Sequence, residues 1–137
     1  MNNSISSLNP EVLSSLTLAY IGDAVYELWV RCYLLSRGPQ RVNDLHRETV
    51  KYVNAGTQSK FVQLLEPLLD EKEAMVLRKG RNAKSGRQPK KTEMIDYRRA
   101  TGLEALVGYL YLLNKQERLE EIFSRLVELV EREAGKI

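Results

Sequence analysis

Asp23 interrupts an apolar run, and Glu104 opens another. Residues 16–35 read Leu-Thr-Leu-Ala-Tyr-Ile-Gly-Asp-Ala-Val-Tyr-Glu-Leu-Trp-Val-Arg-Cys-Tyr-Leu-Leu, and residues 103–113 read Leu-Glu-Ala-Leu-Val-Gly-Tyr-Leu-Tyr-Leu-Leu. A carboxylate among large apolar side chains risks a desolvation cost of several kcal/mol unless an opposite charge compensates it. Two such acids, each in a glycine-bearing helix, point to a shared divalent cation. Mg²⁺ suits them, because a hard cation takes oxygen ligands and keeps several waters. Held there, it can polarise a phosphate and activate a water for attack. The plainer alternative is two half-exposed acids paired with nearby arginines. Glu27, one turn beyond Asp23, either shares that face or is a salt-bridged surface acid.

The second constellation is a run of positive charge. Between Arg78 and Arg99 nine basic residues face two acids, Glu93 and Asp96, for a net +7. The rest of the chain, with 12 basic and 16 acidic residues, carries −4. A local positive field on a mildly acidic body is the footprint of a polyanion ligand. The candidate polyanion contacts are Arg78, Lys79, Arg81, Asn82, Lys84, Ser85, Arg87, Lys90 and Lys91, against the alternative of a solvated charge run. Lysine and arginine bind phosphates and release counterions, so affinity should fall steeply with salt. Arg98 and Arg99 either reach the scissile region or neutralise neighbouring acids. Lys51 and Gln58 are further candidate contacts, or plain exposed surface. His46, the single histidine, has only Asp44 and Glu48 near it in sequence, and reads as a surface residue rather than a metal ligand.

These residues must be carried by helices. Asn9 followed by Pro10 is a helix start that leads through Leu35 to a stop at Gly38-Pro39. A second helix opens at Asn43-Asp44, and a break at Ala55-Gly56 leads to a third that ends near Pro67. Asp70 and Glu73 form a capping-box pattern for a fourth helix to about Arg81. Residues 82–91 lack large apolar side chains and read as an exposed basic loop. Thr92 can cap a fifth helix to Leu113, kinked near Gly102, and Asn114 with Glu117 can cap a sixth. No alternating strand pattern appears, so the expected fold is all-α, one domain over residues 1–137, with 1–9 flexible. Six aromatic residues at helical spacing, Tyr20, Tyr26, Trp29, Tyr33, Tyr109 and Tyr111, read as core and dimer interface. Cys32, the one cysteine, excludes an internal disulfide and reads as a small core residue. The N-terminus shows no signal-peptide pattern, and charges break the longest apolar stretch, so the expectation is a cytoplasmic protein without a membrane span.

The motifs carry a resemblance. Tyr20-Ile21-Gly22-Asp23-Ala24-Val25 resembles the signature helix of the ribonuclease III endonuclease domain, and Leu103-Glu104-Ala105-Leu106-Val107-Gly108 its second acidic helix. The loop Lys79-Gly80-Arg81-Asn82-Ala83-Lys84-Ser85-Gly86 and the chain length resemble the compact Mini-III branch, which has no double-stranded-RNA-binding domain. The resemblance implies a homodimer that cuts double-stranded RNA with Mg²⁺, leaving 5′-phosphate and 3′-hydroxyl ends, in maturation of the large (23S) ribosomal RNA. It matches Asp23 and Glu104 to the family's catalytic, metal-binding acids, and Tyr20 to an aromatic residue seated in the partner subunit. Gly22 would permit close helix approach beside the site. Larger family members carry two further acids, at the places held here by Ala19 and Thr101. That departure puts a fixed two-metal site in doubt and supports a rival reading, a non-catalytic double-stranded-RNA-binding protein of the same fold. A DNA-binding helical protein has only the charge pattern behind it. The need for a ribosomal-protein partner stays open at this point.

Overall fold

The computed structural model describes residues 7–84 and 93–135, and in them the chain forms six α-helices and two 3₁₀ turns. In chain order the helices are α1 (Ser15–Ser36), α2 (Val42–Val53), α3 (Ala55–Leu65), α4 (Glu71–Asn82), α5 (Met94–Leu112) and α6 (Gln116–Glu133), with 3₁₀ turns at Pro10–Val12 and Glu66–Leu68. Among the described residues there is no strand.

Helix α5 is the central element. It packs most extensively on α1, then on α4 and α3. Its Leu103, Ala105, Leu106 and Val107 are fully buried, so both sides of the helix are covered and the apolar run of the sequence becomes core. Tyr26, Val30 and Leu34 of α1, Phe61 and Val62 of α3, and Ile122, Phe123 and Leu126 of α6 complete the same cluster. Trp29 stacks on Phe123 at 4.6 Å between ring centroids, which fixes α6 on α1.

Two glycine crossings set the depth of this packing. A Cβ on Gly22 would lie 1.6 Å from the Glu104 carbonyl oxygen, and one on Gly108 would lie 2.0 Å from the Leu18 carbonyl oxygen. Helices α1 and α5 therefore touch backbone to backbone beside the two acids. At the second crossing a Cβ on Gly102 would lie 2.6 Å from the Leu77 carbonyl oxygen, and one on Gly80 2.9 Å from the Gly102 Cα. Helix α5 runs unbroken through Gly102, so this glycine serves close contact with α4 where a kink was expected.

Several helix ends differ from expectation. Asn9 caps only the 3₁₀ turn, its Oδ1 accepting from the Glu11 N–H at 3.0 Å, and extended backbone at Leu13 and Ser14 separates that turn from α1. The cap of α1 is Ser14, whose hydroxyl accepts from the Thr17 N–H at 3.1 Å. Asn54, not the Ala55-Gly56 pair, marks the start of α3, accepting from the Thr57 N–H at 2.8 Å. The capping box forms as expected: Asp70 accepts from the Glu73 N–H at 2.8 Å and Glu73 accepts from the Asp70 N–H at 3.0 Å. Asn114 does not cap α6. It takes φ 60° and closes α5, its N–H bonding the Tyr111 carbonyl while the Lys115 N–H bonds that of Leu110, both at 2.9 Å. Asparagine tolerates this left-handed position and is also a good N-cap, so its type fits both ends. Thr92 lies outside the described residues, and α5 starts after Glu93 without a side-chain cap. Among the described residues no helix is long and apolar enough to cross a membrane.

Candidate active site

The Gly22–Gly108 crossing brings the two acids together. Asp23 follows the glycine that rests on the Glu104 backbone, and the two side chains come within hydrogen-bonding reach of one another. Asp23 is exposed on α1, whereas Glu104 is half-buried on α5. Burial pushes the Glu104 carboxyl up to about 8, with the neighbouring Asp23 charge as the next cause. Among the described residues no lysine or arginine forms an ion pair with either acid. The arginine-paired alternative thus has no such pair among the described residues. Two carboxylates pressed together in a partly dry place, without a cation, have the donor chemistry of a Mg²⁺ site: hard oxygen ligands whose mutual repulsion a divalent charge would relieve. Among the described residues no group of three acids, cysteines or histidines converges, so the site rests on this pair.

The positions of the two acids found in larger family members are filled by other packing. Ala19 is buried in the core, and the Thr101 hydroxyl donates back to the Tyr97 carbonyl oxygen at 3.0 Å. Glu27 turns to Arg31 at 2.8 Å in an exposed pair, a surface acid rather than a third ligand. Arg99 donates to the buried Ser59 hydroxyl at 3.2 Å, Arg98 is exposed, and among the described residues neither forms an ion pair with Asp23 or Glu104.

Gln58 is a residue whose place the sequence did not show. It is 3 % exposed, neither an RNA-facing nor a plain surface side chain, and its amide lies beside Glu104 and the buried Tyr26 hydroxyl, where it favours the charged form of each against the effect of burial. No motif announces it: a glutamine between Thr57 and Lys60 has the same appearance on a solvated helix.

The basic residues divide. Arg78, Lys79 and Asn82 are exposed on the last turns of α4, and Lys84 is exposed just beyond it. With Ser14 and Leu16 from the start of α1, Arg78, Lys79 and Asn82 border a groove of about 460 Å³. Arg81 is partly buried and faces Glu66 at 3.8 Å, so it is less available than its neighbours. Ser85, Arg87, Lys90 and Lys91 lie outside the described residues. Lys51 pairs with Glu48 at 3.0 Å on the surface, and His46 is exposed.

Tyr20 is 78 % exposed and belongs to an apolar stripe of α1 made by Leu16, Tyr20, Ala24, Leu28 and Leu35. Spacings of four and seven residues place these on one helix face. Cys32 follows Leu28 by one turn and is exposed, which corrects the expectation of a core cysteine. Tyr26, Tyr33, Trp29 and Tyr109 are packed in or against the core, as expected, whereas Tyr111 is exposed.

Comparison with known proteins agrees with this architecture. Residues 16–115 match the model of the ribonuclease III domain. The chain is 50 % identical over 125 residues to the Mini-ribonuclease 3 of Desulfitobacterium hafniense, covering 90 % of this chain and 79 % of that protein. It is 50 % identical over 124 residues to the Mini-ribonuclease 3 of Symbiobacterium thermophilum, covering 90 % and 95 %. A crystal structure of a Fusobacterium nucleatum protein superposes with a TM-score of 0.77 at 32 % identity, over 85 % of this chain and 93 % of that one. The match spans both acidic helices and the root of the basic segment, and with it the chain belongs to the ribonuclease III family, in its compact Mini-ribonuclease 3 branch.

Proposed function

We propose that this protein is a Mg²⁺-dependent endoribonuclease that hydrolyses double-stranded RNA as a homodimer. The observation that carries the reading is the contact between Asp23 and Glu104 with no cationic partner among the described residues. The names of the relatives, Mini-ribonuclease 3, support the reaction class.

Asp23 and Glu104 would hold the cation. When bound, Mg²⁺ supplies positive charge that polarises the phosphodiester and eases loss of a proton from the attacking water. In the overall reaction a water oxygen bonds to phosphorus and the bond from phosphorus to the 3′-oxygen breaks, leaving a 5′-phosphate and a 3′-hydroxyl. Arg78, Lys79 and Asn82, which border the groove at the start of α1, and the exposed Lys84 would bind phosphates along the duplex. An A-form duplex is recognised through phosphates and 2′-hydroxyls, which suits a basic rim without a base-reading helix. The exposed stripe around Tyr20 is a face of the kind that a partner covers, and a second copy would bring a second site to the other strand. Its role in maturation of the large-subunit ribosomal RNA rests on the family resemblance, and a cytoplasmic location on the single cysteine, which suits a reducing compartment.

The test is cleavage of an end-labelled RNA duplex in Mg²⁺ by the parent chain, Asp23→Asn and Glu104→Gln. Cutting by the parent, lost in both variants while gel-shift affinity persists, is the expected result. Tight binding with no cutting by the parent, in Mg²⁺ and Mn²⁺ alike, would establish the binding-only alternative.

A further inference from the structure

The Glu104 carboxylate has a neighbour that the reaction scheme does not use. Gln58 lies in the second turn of α3, and its amide is among the few polar side chains that are fully buried. A buried amide needs partners, and the identity of those partners fixes which way it points. The Tyr26 hydroxyl donates its single proton to the Tyr52 carbonyl oxygen at 2.7 Å. Toward Gln58 that hydroxyl can therefore only accept, so the amide turns its NH₂ toward Tyr26. The NH₂ has two hydrogens, which leaves a second for the neighbouring Glu104 carboxylate. The far end of this relay is rigid. Tyr26 is 1 % exposed, and its ring meets Phe123 edge-on at 5.6 Å. Tyr52 and Asn54, the cap of α3, are two residues apart, so the relay is tied to the same helix junction that sets the direction of α3.

We infer that Gln58 is a positioning residue: oriented by the Tyr26 hydroxyl, its amide donates to the Glu104 carboxylate and presents it, as an acceptor, to the cation shared with Asp23. This rests on the metal-site reading above. A donor aimed at one carboxylate oxygen fixes the rotamer and leaves the other oxygen facing Asp23. Partners of this kind behind metal ligands govern affinity by about 10- to 100-fold.

The experiment measures metal binding without RNA and without turnover. Mn²⁺ is titrated into the protein and followed by electron paramagnetic resonance, with displacement by Mg²⁺. Gln58→Met preserves side-chain length and removes the donor. Its Mn²⁺ affinity should fall about 10- to 100-fold, while RNA affinity in EDTA and the circular dichroism spectrum match the parent. Tyr26→Phe, which removes the group that orients the amide, should show a smaller loss in the same direction, and it carries the test if Gln58→Met does not fold. If the parent binds Mn²⁺, Asp23→Asn and Glu104→Gln do not, and the folded relay variant binds within twofold of the parent, the role of Gln58 is overturned alone. A parent that binds no Mn²⁺ and cuts no RNA overturns the metal-site reading and this inference together.

Discussion

At the scale of single residues, Glu104 is the group whose chemistry the fold alters most plainly. Its carboxyl is raised from an ordinary value of 4.5 to about 8 by burial and by Asp23. Between those values the folded protein holds a proton that the unfolded chain has released. Stability of the metal-free protein should therefore fall as pH rises across that window and level off above it. Melting in EDTA at pH 5, 7 and 9 checks the sign, and Glu104→Gln should flatten the dependence. Cation binding runs the other way, since the proton must leave before the metal can bind, so Mg²⁺ affinity should rise with pH up to about 8. Asp23 and Glu104 were legible in the sequence because an acid inside an apolar run is a visible conflict. Gln58 was not, because its burial is created chiefly by α5 packing on α3, and nothing local to Thr57–Lys60 encodes that. Arg118 was missed for the same reason: it clasps the buried Glu73 at 2.8 Å through two nitrogens, from 45 residues away.

At the scale of elements, the site is a product of how closely two helices approach. Gly22 and Gly108 let α1 and α5 meet with no side chain between them, and Asp23 and Glu104 are set by that contact. A methyl group on Gly22 has nowhere to go, because what it meets is backbone. Gly22→Ala should destabilise the fold by about 3 kcal/mol or more, the upper range for overpacking, and should separate the acids. Thermal melting reads the first effect and Mn²⁺ affinity the second. Asp70→Ala, which removes the capping box of α4 on the side away from the acids, should cost about 1 kcal/mol and leave metal binding intact. The apolar periodicity located all six helices in the sequence, and the capping box located the start of α4. The errors fell at ends where one residue type serves two purposes. Asn9-Pro10 looked like the start of the long helix and starts only a 3₁₀ turn, because Ser14 offers a second cap four residues before Leu18 locks into the core. Asn114 looked like a cap and is a left-handed terminator.

At the scale of the whole molecule, charge and apolar surface are each concentrated, and they meet at Leu16. The positive excess is concentrated between Arg78 and Arg99, while α1 shows an uncovered apolar stripe. If phosphates bind the exposed bases of α4, log affinity for duplex RNA should fall linearly with log salt. Arg78→Ala and Lys79→Ala should each lower that slope by about 1, as measured by fluorescence anisotropy. The stripe predicts association: sedimentation of the parent should give a dimer mass, and Tyr20→Glu with Leu28→Glu should give a monomer, since two buried carboxylates would find no partner there. These whole-molecule properties were partly legible, the charge by counting and the stripe only after the other faces of α1 were seen to be covered.

The central claim is that Asp23 and Glu104 act as one cation-binding unit that hydrolyses RNA, and a double-mutant cycle on cleavage rate tests it most directly. Single-turnover rates on one RNA duplex are measured for the parent, Asp23→Asn, Glu104→Gln and the double variant. Residues that act as a unit are strongly non-additive. Each single substitution should reduce the rate by about 10³-fold or more, and the double should be no slower than either single. Losses that multiply across the two positions, or a single variant that cuts like the parent, would contradict the account.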